Sequence, residues 1–108
     1  MTPEKRVKEK AKKVLEELKA YYFLPATGYG GRKGVPDIIV CYNGKFVGIE
    51  CKAKNNKPTK LQQKELDKIK EAGGIGIVFS DNTTTQELKN LLQNITEDKT
   101  HWALQNIS

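Results

Sequence analysis

Val35-Pro36-Asp37-Ile38-Ile39-Val40-Cys41-Tyr42, then Asn43-Gly44, then Lys45-Phe46-Val47-Gly48-Ile49-Glu50-Cys51-Lys52-Ala53 is the stretch whose reading decides the fold. Two β-forming runs flank Asn-Gly, the strongest short-range signal for a two-residue hairpin turn. With Tyr42 opposite Lys45, counting back along both strands sets Asp37 across from Glu50. Directly opposed residues have Cβ atoms about 4.5–5.5 Å apart, so both carboxylates can reach one divalent ion. Lys52 shares the face of Glu50, because strand side chains alternate. Opposed carboxylates repel unless a cation intervenes. The same Glu-x-Lys spacing also suits a solvated pair on an edge strand.

Working outward, Val7, Ala11, Val14, Leu15 and Leu18 recur at helical spacing behind Thr2-Pro3, an N-cap and a first-turn proline. Tyr21 to Leu24 reads as a short strand, and the glycine-rich stretch Thr27 to Gly34 as a loop. After the hairpin, Asn55 to Pro58 is a polar loop. Thr59 then caps a helix, with Gln62 in capping-box position and Leu61, Leu66 and Ile69 as its apolar residues; it stops at Gly73-Gly74. Ile75 to Ser80 reads as a strand buried on both faces. Thr83 to Ile95 reads as a helix, and the tail Thr96 to Ser108 has no clear pattern. The order is α-(β)-β-β-α-β-α: one α/β domain over residues 1–108, a small mixed β-sheet flanked by helices.

The 108 residues carry 19 Lys+Arg against 13 Asp+Glu, a net charge of +6 that makes a polyanion the first partner to consider. No apolar run is long enough to span a bilayer, and the N-terminus lacks a secretory h-region, so a cytoplasmic protein without a membrane partner is expected. Two cysteines make no disulfide scaffold. Cys41 and Cys51 fall on opposite faces of the hairpin and read as core residues, not nucleophiles. With one histidine, His101, and two cysteines, a His/Cys zinc site is excluded, and any metal would be held by oxygen. At about 100° per residue, Glu4 is the one acid of the first helix aimed at the core; on pattern alone it suits the positive end of the helix dipole better than a metal site.

Gly34-Val35-Pro36-Asp37 followed by Ile49-Glu50-Cys51-Lys52 resembles the PD-(D/E)xK nuclease signature. With Glu4 in the first helix and Thr59-Lys60-Leu61-Gln62 opening the next, the ordered set resembles the VRR-NUC family, the virus-type replication-repair nucleases, in its stand-alone phage and bacterial form. The resemblance spans roughly residues 4 to 80. It implies a restriction-endonuclease-like core and a homodimer acting on branched DNA such as four-way junctions. It also implies Asp37, Glu50 and the backbone carbonyl of Cys51 as metal ligands, with Glu4 binding directly or through water. Lys52 would position or activate the attacking water, and Gln62 would support Lys52 or that water. Oxygen ligands suit Mg²⁺ or Mn²⁺, and no organic cofactor is implied.

For the substrate backbone, the glycines and cations of Gly30-Gly31-Arg32-Lys33 lead straight into Asp37, and Lys54, Lys57 and Lys60 lie just beyond Lys52. The same loop also reads as a solvated turn. The six lysines of the first helix read as its solvated outer face, and Tyr21, Tyr22 and Phe23 as core. The reading is a divalent-metal-dependent endonuclease, junction resolvase-like. Its rivals are a nicking, flap-directed or general endonuclease on the same core, and a non-catalytic DNA-binding module.

Overall fold

In the computed structural model, which describes residues 1–26, 31–54 and 56–95, the Asn43-Gly44 turn is made as the pattern requires: both residues have positive φ, 51° and 75°. Strand β2 (Ile38–Tyr42) and strand β3 (Lys45–Lys52) pair antiparallel from Tyr42↔Lys45 to Ile38↔Ile49. Ahead of them lie helix α1 (Pro3–Glu17) and strand β1 (Tyr21–Phe23), the latter antiparallel to β2. After them, helix α2 (Lys60–Glu71) leads to strand β4 (Ile75–Ser80), parallel to β3, and then to helix α3 (Thr85–Gln93). The sheet order is β1-β2-β3-β4. This is the mixed α/β architecture expected from the sequence.

One face of the sheet carries Ile38, Val40, Val47, Ile49, Cys51, Ile77 and Phe79. It packs on Val7, Ala11, Val14 and Leu15 of α1 and on Leu88 and Leu92 of α3. Burying such side chains stabilises the fold by about 1.5–3 kcal/mol each, an upper bound because the unfolded chain is partly collapsed. Among the described residues the other face takes only α2. A Cβ on Gly48 would lie 2.7 Å from Ile69 Cδ1 and 2.8 Å from Pro36 Cγ, so glycine is what lets α2 sit down on β3.

Because among the described residues α2 alone covers that second face, several apolar residues lie open, Tyr21, Phe23 and Cys41 of them expected in the core. Tyr21, Cys41, Phe23 and Phe46 are exposed, all on the α2 side of the β1–β2–β3 edge beyond the helix. Only Tyr22 of the aromatic run turns inward, its hydroxyl donating to Glu16 at 2.6 Å. Among the described residues strand β4 is an edge strand with Val78 exposed, not a strand buried on both faces. Leu61, in the first turn of α2, is also exposed.

The element ends differ for local reasons. Strand β2 begins at Ile38 and not Val35, since Pro36 has no N–H to give and the Asp37 side chain takes the Cys51 N–H in place of a ladder bond. Helix α3 begins after Thr84, which forms a capping box with Glu87. Helix α1 ends in a Schellman pattern, Lys19 N–H to the Glu16 carbonyl and Ala20 N–H to the Leu15 carbonyl, with Lys19 at φ 57° where glycine is usual. The tail 96–108 and Gly30 lie outside the described residues.

Candidate active site

The ladder ends at Ile38 and Ile49, and Asp37 and Glu50 are the next residues on the two chains, at the end of the hairpin away from its turn. Asp37 Oδ2 accepts the Cys51 backbone N–H at 2.8 Å, which fixes the carboxylate across the strand pair. Its Oδ1 faces Lys8 Nζ at 3.5 Å. Glu50 is 1% exposed, and among the described residues neither of its carboxylate oxygens has a hydrogen-bond partner.

That orphaned carboxylate is costly. Leaving a buried polar group unpaired loses about 1–3 kcal/mol, and more for a charge. Burial first, then the negative charge of Asp37 and a contact with its carboxyl, push the Glu50 pKa up to about 8; Lys52 pulls it down and Glu4 raises it further. Two ionised carboxylates only accept, so the Asp37–Glu50 contact is a hydrogen bond only while one of them keeps a proton. A divalent cation would resolve the same conflict at full ionisation. The donors here, two carboxylates beside a strand carbonyl, are of the hard oxygen type that Mg²⁺ and Mn²⁺ prefer, so the residues present fit such an ion.

The structure brings Asp37, Glu50 and Lys52 together as the strand parity requires. Glu4 is less central. It is exposed in the first turn of α1, and its charge is felt at Glu50 and at the Cys51 thiol. Yet among the described residues no three acidic, His or Cys side chains lie close enough to hold one ion, so a route through water suits Glu4 better than direct ligation. The Cys51 thiol is buried in the core and pushed up to about 12, by burial first and then by Asp37 and Glu50; only its backbone faces the site. Gln62 is engaged elsewhere. Its Oε1 accepts the Thr59 N–H at 2.9 Å while Thr59 Oγ1 accepts its own N–H, a complete capping box.

Lys8 is the site residue that sequence reading placed wrongly, among the solvated lysines of α1. Its four-residue spacing from Glu4, on a helix whose inner face is marked by Val7 and Ala11, was the available signal.

The loop before Asp37 packs on α2. A Cβ on Gly34, at φ +82°, would lie 2.9 Å from the Leu61 carbonyl oxygen. Arg32 is turned to Glu65 of α2, with Nη2 donating to Oε2 at 3.0 Å and Nε 2.5 Å from Oε1, so its guanidinium is engaged within the fold. Gly31, Lys33, Lys54, Lys57 and Lys60 are exposed, and the Lys54 N–H donates to Asp81 Oδ2 at 2.9 Å. No helix among the described residues is long and apolar enough to cross a membrane.

Comparison with known proteins agrees with this geometry. The profile of a family described as archaeal Holliday junction resolvase (Hjc) matches residues 11–94. A phage protein named "Putative nuclease p44", from Acyrthosiphon pisum secondary endosymbiont phage 1, is 40% identical over 63 residues. That match takes in 57% of this chain and 63% of the relative's length. A solved structure titled "VRR_NUC domain" superposes with a TM-score of 0.68 at 27% identity, over 87% of this chain and 98% of that one.

Proposed function

Since the chain belongs to the archaeal Holliday junction resolvase family and has the fold of a VRR-NUC, PD-(D/E)xK-type nuclease, we propose that it hydrolyses DNA phosphodiester bonds as a divalent-metal-dependent endonuclease on branched DNA. The observation that carries the metal site is Glu50, buried beside Asp37 with both carboxylate oxygens unpartnered.

Asp37, Glu50 and the Cys51 carbonyl would hold the ion, Mg²⁺ or Mn²⁺, with Glu4 acting through water. When bound, such a cation neutralises phosphate oxygens and makes a nearby water more acidic. Lys52, on the Glu50 face, orients the attacking water and stabilises the charge that develops on the phosphate. Asp37 stays in place because the Cys51 N–H holds it, so the site is preorganised across two strands. Gln62 supports the water or Lys52 only through the amide group that the cap leaves free. Backbone contacts from Gly31, Lys33, Lys54, Lys57 and Lys60 supply salt-dependent affinity. A cut on each of two symmetric strands needs two sites, hence a homodimer, acting in the cytoplasm.

The test is cleavage of labelled four-way junction, flap and linear duplex in Mg²⁺, Mn²⁺ and EDTA, with Asp37→Ala beside wild type. Paired symmetric cuts on the junction, lost in EDTA and in the variant, are expected. Cutting of every substrate would remove the branched-DNA claim and keep the metal site. Binding without cutting would leave a non-catalytic DNA-binding module.

A further inference from the structure

The ion pair between Lys8 and Asp37 has no place in the signature that defines the site. Asp37 has two oxygens: Oδ2 is taken by the Cys51 N–H at 2.8 Å, and Oδ1 faces Lys8 Nζ at 3.5 Å. Oδ1 is the Asp37 oxygen that no backbone N–H holds, the freer of the two to take a metal, and an ammonium already stands against it. Lys8 sits one helical turn after Glu4, half-buried with its side chain 32% exposed, and its charge reaches as far as the Cys51 thiol. Among the described residues, Asp37 is its ion-pair partner.

We propose that Lys8 is a resident counter-ion that a divalent cation must displace from Asp37 Oδ1. It acts as a positioning residue that sets the metal concentration at which the site loads. This deepens the metal-site reading above and rests on it. A divalent cation and an ammonium at one oxygen repel at a separation where charges interact strongly even near a surface. Lysine suits the exchange, because its compact charge rides on a flexible four-carbon stem that can swing toward solvent. The metal-free protein thus keeps Asp37 neutralised, and the loaded protein releases the ammonium.

The experiment is calorimetric titration of the metal-free chain with Mn²⁺, for wild type, Lys8→Met, Lys8→Arg, Lys10→Met and Glu50→Gln. Lys8→Met should bind Mn²⁺ roughly tenfold tighter than wild type, while its metal-free melting temperature falls. Lys8→Arg keeps the charge and should bind within about threefold of wild type. Lys10→Met removes the same charge from an exposed position on the same helix and should change binding by less than about twofold. A merely structural Lys8 would lower melting and leave affinity unchanged or weaker. Either affinity result for Lys8→Met overturns the inference, as does equal tightening in Lys10→Met. Loss of binding in Glu50→Gln places the ion at this site. A wild-type chain that binds no Mn²⁺ would overturn the metal site itself, a separate failure.

Discussion

Among the described residues two glutamates are buried, and they are solved in opposite ways. Glu65 of α2 faces Arg32 through both of its oxygens, with Lys68 Nζ 4.0 Å away. Glu50 of β3, more deeply buried, has no hydrogen-bond partner on either oxygen and lies beside a second carboxylate. Glu65 carries its counter-ion within the chain and serves to tie the loop before Asp37 onto α2. Among the described residues, Glu50 has the charge of Lys52 nearby and no cation paired with it. A fold keeps an uncompensated buried carboxylate at a cost, and such residues concentrate at functional sites.

The comparison breaks first on activity. Glu50→Gln and Asp37→Ala should each lower cleavage at least about 100-fold, while Glu65→Gln should stay within about threefold of wild type in a gel assay at fixed Mg²⁺. Equal losses at both glutamates would end the distinction.

It is sharpened next by pH. The folded Glu50 pKa of about 8 lies above its usual 4.5. Protonated Glu50 therefore suits the metal-free fold, and that contribution is complete below about 4.5 and lost as pH rises through about 8. The melting temperature of the metal-free chain should fall across this window. Glu50→Gln should flatten the fall and melt above wild type at the alkaline end. Mg²⁺ should restore wild type there and not Glu50→Gln. A wild-type melting curve that does not change with pH would remove the argument from burial.

Arg32→Ala probes the satisfied partner. It leaves Glu65 with Lys68 alone, and denaturant melts should show a loss of about 1–2 kcal/mol, reduced because Arg32 is itself largely exposed. The smallest effect separates the two roles of Gln62. Thr59→Ala and Gln62→Ala each remove one arm of the capping box, so each should lose about 1 kcal/mol of stability. Gln62→Ala should lose a further fewfold in cleavage that Thr59→Ala does not. Equal activity would confine Gln62 to the cap.

How much was legible follows from what each signal depends on. The Asn43-Gly44 turn, the parity of two strands and the capping box at Thr59 are local rules, and Asp37, Glu50 and Lys52 fall out of them together. Lys8 did not, because helical phase gives a direction and not a destination. Nothing near Lys8 in sequence says that α1 brings it within 3.5 Å of Asp37. Arg32, which local sequence offers to a phosphate backbone, is hidden for the same reason, since its partner lies 33 residues away on α2.

By itself the sequence determined the hairpin, its register, the element order and the acidic pair that register forces together, since each depends on neighbours a few residues apart. Tertiary structure alone decided that Glu50 is sealed from water, that Lys8 reaches Asp37, that Glu65 answers Arg32, and that Tyr21, Phe23 and Cys41 stay open beside α2. Burial and ion pairing are set by which surfaces meet when helices dock on a sheet, and residue spacing carries no measure of that distance.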